Sequence, residues 1–226
     1  MLIDERLSLA ASLYEPCALG ADIGTDHGLL PCHLLEANIC KRMILADVSA
    51  KALRHAEALV KARGLEARAL LRRADGLDAL TQPCGCVSMM GMGGETLAGI
   101  LRRGQDRLQG AVLVLSAHTE QPLVRRAIQD IGYRLTREEL CQAAGRFYVC
   151  WRAEPGEALL SGEAIRYGSL LWERMTPLLR AYLDHRIAFT RSKLAGLLSA
   201  SSPDDDAIAD ARRDLDWYLA KEDESC

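Results

Sequence analysis

Five short stretches of this sequence hold residues whose types and spacing could do chemistry. The first is Asp22-Ile23-Gly24-Thr25-Asp26-His27-Gly28. Glycines at 24 and 28 let the backbone approach a bound ligand, and free N–H groups of a following helical turn would face it. A dinucleotide fingerprint would read G-x-G-x-x-G; here the spacing is G-x-x-x-G, with Asp22 before it and Asp26 inside it. Two carboxylates repel a pyrophosphate at close range. They suit a ligand that carries an ammonium or sulfonium group and hydroxyls. The turn therefore binds something other than a dinucleotide, with Asp22, Gly24, Thr25 and Gly28 on the ligand side.

The second stretch is Asp47-Val48, where an acid at a strand end is placed to accept from ribose hydroxyls. The third is Asp75-Gly76, where a carboxylate can accept from the exocyclic amine of an adenine. The fourth, Gly91-Met92-Gly93-Gly94, has three glycines in four residues and lets the backbone pass a flat acceptor closely. The fifth is Ser116-Ala117-His118-Thr119-Glu120, a polar cluster just past an apolar strand. Competing readings are a capping acid at Asp47, a turn aspartate at Asp75, a tight connection at 91–94 and an exposed loop histidine at His118. Each stretch alone is weak. Together they describe an adenosine-bearing ligand of methyl-donor type.

The elements that must position these residues follow from periodicity. An amphipathic helix is expected over 4–15, ended by Pro16. Strands are expected over 18–23, 42–48, 67–72, 86–90 and 111–115. Helices are expected over 29–38, 50–63, 95–103 and 120–130. Residues 133–139 and 147–153 read as a hairpin. The fold class is α/β: a doubly wound, mostly parallel sheet with an antiparallel hairpin edge. Its polar clusters all fall at the C-terminal ends of the strands, where such sheets bind ligands. Residues 1–160 make this domain and 161–226 an α-helical appendage. Residues 156–168 are a connector, 169–198 a long helical run that Pro177 bends or breaks, 199–203 a turn and 204–221 a second helix, with a frayed end at 222–226.

Composition narrows the setting. The 226 residues can bury a real core, and their formal charge is −3. No run of about 18 apolar residues spans a membrane, and the N-terminus lacks the regions of a secretory signal. Cytoplasm is the expected location. Eight cysteines invite a metal, but no C-x-x-C pair is present, so none is expected and buried thiols are the plain reading. Residues 161–202 hold six basic and three acidic side chains, whereas 203–226 hold three basic and nine acidic. A local basic face therefore remains available to a polyanion despite the overall acidity.

The string ADIGTDHGLLP at 21–31, the acid after the second strand, RADGL at 73–77 and GMGG at 91–94 resemble the bacterial tRNA (adenine-22-N1)-methyltransferase family. The likeness extends to Arg6-Leu7 and Ala10 and to the trailing helical hairpin, so it covers nearly the whole chain. It implies a class I methyltransferase that uses S-adenosylmethionine and methylates N1 of the adenine at tRNA position 22, in the D arm. By the same matching, Asp22, Gly24, Asp26 and His27 belong to the cofactor and catalytic rim. Asp47 goes to ribose, Asp75 to the cofactor's adenine, and Gly91 to Gly94 replace the Asn-Pro-Pro-Tyr-like loop of other amino-group methyltransferases. The chain departs from the family at 116–120, where Gln-Pro-Asn is usual, and in its acidic C-terminus.

Asp26 and His27 are the expected catalytic pair. Gly91 belongs to the cofactor side, and the substrate side comprises Met92, Gly93, Gly94 and His118, with phosphate contacts from Arg102, Arg103, Arg174, Arg186, Arg191 and Lys193. Two other readings stay open: a same-fold methyltransferase acting on another RNA site or a small molecule, and a non-enzymatic module that binds a nucleoside ligand. Oligomeric state is left open, a monomer being one reading.

Overall fold

The structure, a computed structural model, describes residues 3–202 and 204–224. The chain enters through α1 (Glu5–Ser12), whose first turn is closed by Asp4 accepting from the Leu7 N–H at 2.8 Å. Its Leu7, Ala10 and Ala11 side chains are buried. Strand–helix alternation follows: β1 (Cys17–Ile23), α2 (Leu29–Glu36), β2 (Cys40–Asp47), α3 (Ala50–Ala62) and β3 (Ala69–Arg73). After a 3-10 turn over Gly76–Ala79 come β4 (Cys86–Met92), α4 (Gly94–Gly104), β5 (Val112–Ala117) and α5 (Gln121–Asp130). The hairpin β6 (Tyr133–Ala143) and β7 (Arg146–Pro155) completes a seven-stranded sheet of order β3-β2-β1-β4-β5-β7-β6.

Strands β1 to β5 are parallel, and β7 runs antiparallel to both β5 and β6. Their unalternated apolar runs are explained by helices on both faces. Met43, Ile44, Leu45, Val87, Met89, Leu113 and Leu115 are fully buried. The chain leaves β1 toward β2 and β3, then returns to pair β4 on the other side of β1. That reversal opens a crevice above the C-terminal ends of β1 and β4, and the glycine turn sits at its lip.

Several boundaries differ from the periodic reading. The β6–β7 hairpin is longer, because Ala144 and Gly145 both take left-handed backbone (φ 48° and 75°) and close a two-residue turn. Strand β4 runs on to Met92 through a register shift between Met90 and Met92, where Gly91 bulges at φ 76°. The connector over 156–168 contains a helix, α6 (Gly162–Tyr167), capped by Ser161. Arg125 donates to the Ile165 carbonyl and Gln129 accepts from Leu160 N–H, so a tertiary anchor supplies what periodicity did not. The expected helical run over 169–198 is broken. A 3-10 turn spans Leu170–Trp172, and α7 (Pro177–Leu198) starts at Pro177 behind a Thr176 cap. Helix α8 (Asp205–Glu224) extends past the expected end. The turn expected at 199–203 includes Pro203, and the frayed end includes 225–226; these three residues lie outside the described ones.

Two compact units emerge, one ending at Leu171 and one beginning at Trp172. Residues 162–171 belong to the first. There the buried Glu138 carboxylate accepts from Arg125 Nε (2.7 Å), Trp151 Nε1 (2.8 Å) and the Ser169 N–H (3.1 Å). The second unit is the antiparallel pair α7–α8. Trp172 meets Trp217 edge-on at 5.2 Å between centroids, and Arg186 donates to the Tyr218 hydroxyl at 3.0 Å.

Candidate active site

Asp22, the last residue but one of β1, has its side chain buried. Ser88, on neighbouring β4, donates to its Oδ1 at 2.5 Å. Burial raises the Asp22 carboxyl above its usual range; the Ser88 and Thr25 hydroxyls oppose the shift, and the Asp47 charge adds to it. The Thr25 hydroxyl is itself buried with no partner in hydrogen-bond geometry, although it lies near enough to act on Asp22. A buried acid beside an orphaned hydroxyl is a polar niche that a cationic ligand would complete.

The turn that follows is built on left-handed backbone at Gly24 (φ 77°), Asp26 (φ 42°) and Gly28 (φ 71°). At Gly28 a Cβ would press on Ala56 of α3, so only glycine lets α2 start this close. Gly24 and Thr25 donate to the Ala46 carbonyl, which ties the turn to β2. Asp26 carries its side chain outward, and His27 Nε2 lies 3.4 Å from its Oδ2. The His27 ring stacks in parallel on His55 of α3, 5.0 Å between centroids. Ligand atoms of Asp26, His27 and His55 fall within 4.8 Å of one another, all three residues being exposed.

A cavity of about 330 Å³ gathers Asp22, Gly24, Thr25, Asp26, His27, Gly91 and His118. Arg6, Leu7, Leu29, Leu30 and Met90 complete its lining. The remaining expected residues lie outside it. Asp47 accepts from the N–H groups of Asp26 (3.4 Å) and Ser49 (2.8 Å), and Val48 beside it is 58% exposed although apolar. Asp75 is exposed just past β3 and Gly76 is buried against Ile100. Met92 reaches over the glycine turn, its methyl 3.0 Å from where a Gly24 Cβ would be. Gly94 is packed so tightly that a Cβ would run into the Thr119 and Glu120 carbonyls. Gly93 lies beside Thr119, whose Oγ1 accepts from Gly94 N–H at 3.4 Å.

His118 crosses from β5 to this loop, its N–H donating to the Met92 carbonyl. Partial burial lowers its pKa, as do the charges of Arg6 and Arg146, against a hydrogen bond with the Gly91 backbone. Arg6 lies over the Tyr148 ring, 5.4 Å from its centroid, and His118 meets the same ring edge-on. Ser88, Arg6, His55 and Tyr148 were not among the expected site residues. Only the likeness at Arg6-Leu7 hinted at one of them, since the others arrive from distant strands and helices.

The expected phosphate-binding cations divide. Arg102 is bound to Asp130 at 2.9 Å, and Arg103 lies 3.9 Å from Asp75, at the strand-three end of the rim. Arg186 is held by Tyr218 within the helical pair. Arg174, Arg191 and Lys193 are exposed.

The profile of a methyltransferase-domain family matches residues 3–150. The chain belongs to that family. This methyltransferase is 28% identical over 173 residues to the tRNA (adenine(22)-N(1))-methyltransferase of Bacillus subtilis, covering 75% of this chain and 73% of that one. It is 28% identical to Streptococcus pneumoniae Sp1610, a candidate tRNA (m1A22) methyltransferase whose crystal structure holds S-adenosyl-L-methionine. That alignment covers 95% of this chain and all of the other, with a TM-score of 0.82. The B. subtilis m1A22 tRNA methyltransferase structure, at 21% identity, shares the fold over 97% of this chain with a TM-score of 0.86.

S-adenosylmethionine suits the residues present. The methyltransferase offers a buried acid for a cation, an orphaned hydroxyl, an open glycine turn, a strand-end carboxylate at Asp47 and an exposed apolar Val48 for a flat ring. No helix among the described residues is long and apolar enough to cross a membrane.

Proposed function

We propose that this methyltransferase transfers a methyl group from S-adenosylmethionine to N1 of adenine 22 in tRNA. The observation that carries the reading is the likeness to Sp1610 over 95% of the chain, cofactor turn and helical pair together. When bound, S-adenosylmethionine supplies a methyl group made electrophilic by its sulfonium. Asp22, Thr25 and the turn at Gly24 and Gly28 would hold its amino-acid end, Asp47 the ribose, and Val48, Asp75 and Gly76 the adenine.

Adenine N1 has its lone pair in the ring plane and needs no base before attack. Alignment of acceptor and methyl group, and exclusion of water, are the main tasks left to the protein. The product is cationic, so a carboxylate near the ring stabilises charge as it develops. Asp26 takes that role, at the pocket mouth on left-handed backbone, either accepting from the N6 amine or facing the cation. His27 orients Asp26. His118, Met92, Gly93 and Gly94 form the acceptor side. Base pairing blocks N1, so the target adenine must be unpaired or flipped out.

Arg174, Arg191 and Lys193 on the helical unit would meet phosphates, positioning tRNA without reading its sequence. Arg102, Arg103 and Arg186 could join only by leaving their present partners. A cytoplasmic location belongs to this reading. The test is incubation with labelled S-adenosylmethionine and unmodified tRNA transcripts, followed by mapping of the methylated base. Label at adenine 22, lost when that base is replaced by guanine, supports the assignment. Label on another base, or none on any tRNA, refutes it.

A further inference from the structure

The opposite end of the sheet holds a second reactive arrangement that methyl transfer does not use. Cys17 and Cys40 are direct register partners at the N-terminal ends of the parallel strands β1 and β2. Their sulfurs lie 3.4 Å apart. Neighbouring strands run about 4.8 Å apart, inside the roughly 4.4–6.8 Å Cα spacing that disulfides use. A small rotation of two side chains would bring the sulfurs to bonding distance, with no shift of either strand.

The two thiols are chemically unequal. Cys17 is half-buried and Cys40 is buried. A hydrogen bond with Cys40 lowers the Cys17 pKa, and hydrogen bonds with the Cys86 and Leu19 backbone add to this against the penalty of burial. The same contact, with burial, pushes Cys40 far up. Cys32, Cys84, Cys86, Cys141 and Cys150 are all buried, and burial raises each of them. Gly85 leaves the space that Cys17 fills, because a Cβ there would fall 2.6 Å from Cys17 Cβ. Among the described cysteines, thiolate character and access both single out Cys17.

We propose that Cys17 and Cys40 form an oxidisable thiol pair for hydroperoxides, with Cys17 attacking and Cys40 resolving. The Cys17 thiolate attacks the terminal oxygen of hydrogen peroxide and the O–O bond breaks. Cys17 sulfenic acid forms, and the departing hydroxide becomes water by taking up the proton that Cys17 released on ionising. The Cys40 sulfur then attacks the sulfenic sulfur; the S–O bond breaks and the second water leaves with the Cys40 proton. Two thiols become one disulfide, and one peroxide becomes two waters. The segment so closed contains β1, the glycine turn and α2, so oxidation staples the base of the unit that presents Asp22 to Gly28.

The test uses the full, pre-reduced chain treated with hydrogen peroxide, then non-reducing peptide mapping and melting. A Cys17–Cys40 bridge is expected, with a higher melting temperature that returns to its starting value on adding a thiol reductant. Cys40→Ser and Cys40→Ala should instead accumulate a dimedone-reactive sulfenic acid at Cys17, and Cys17→Ala should show neither product. The proposal is overturned if other cysteines oxidise while no Cys17–Cys40 bridge appears. It is equally overturned if Cys17 bridges to Cys86 or Cys84, or if the Cys17→Ala protein gives the same melting shift.

Discussion

Ser88 donates to Asp22 across the β1–β4 pair at 2.5 Å, with both side chains buried beneath the glycine turn. The hydroxyl satisfies one carboxylate oxygen but does not cancel the desolvation that raises the Asp22 pKa. The charged form of this acid is therefore disfavoured by its surroundings, which makes Asp22 a candidate ligand-binding group.

The first prediction follows from that sign. A carboxyl with a raised folded-state pKa binds its proton more tightly folded than unfolded. Ionised Asp22 thus destabilises the fold above that raised pKa, and the penalty fades as pH falls through it toward the unfolded value. Asp22→Asn should raise the ligand-free melting temperature at pH 7, with a smaller gain at acidic pH. It should also weaken S-adenosylmethionine binding by about 10- to 100-fold, the worth of a charge-assisted hydrogen bond. Calorimetry and thermal melts across pH check both; an unchanged affinity removes Asp22 from the cofactor site.

Asp26 should behave in the opposite way. Asp26→Ala should hold cofactor affinity within a few-fold and lose turnover on the order of 10²-fold, the usual cost of removing one electrostatic stabiliser. A methyl-transfer assay beside calorimetry separates the two. If turnover survives, the division of labour between the two acids is wrong.

His118 and Arg6 offer a spectroscopic test. The Arg6 charge is one of the causes that lower the His118 pKa, after partial burial. Arg6→Met should move the His118 titration upward, followed by NMR of its ring protons. A downward shift, or none, would mean that the N-terminal helix does not set the electrostatics of the acceptor side.

The Arg125–Glu138 ion pair is wholly buried, its side chains 1% and 0% exposed. Glu138→Gln leaves a buried guanidinium uncompensated and should cost about 3–5 kcal/mol in denaturant unfolding. Residues 162–171, tied to this pair through Ile165 and Ser169, should become the first site of limited proteolysis. Equal stability and an unchanged cleavage pattern would contradict this.

Much of the site was legible because the parent elements write local signals. The glycine turn declares its positive-φ positions at Gly24 and Gly28, Asp22 and Asp47 lie at the C-terminal ends of recognisable strands, and Asp75 lies just past a third. Boundaries slipped where a long-range contact outweighed propensity. Helix α6 stands in what read as a connector because Arg125 holds its Ile165 carbonyl. The break ahead of α7 was half-visible in Pro177, which proved to be a first-turn residue rather than a bend.

By itself the sequence determined the strand–helix alternation, the hairpin edge, the glycine turn and the acids at the strand ends. Each of these depends on periodicity or backbone preference within a few residues. Only the tertiary structure decided that Ser88 serves Asp22, that His55 stacks on His27, and that Arg6 and Tyr148 share the neighbourhood of His118. It also decided that Arg102, Arg103 and Arg186 already have partners. Those outcomes come from side chains distant in sequence meeting at a desolvated surface, and such meetings leave no local period to read.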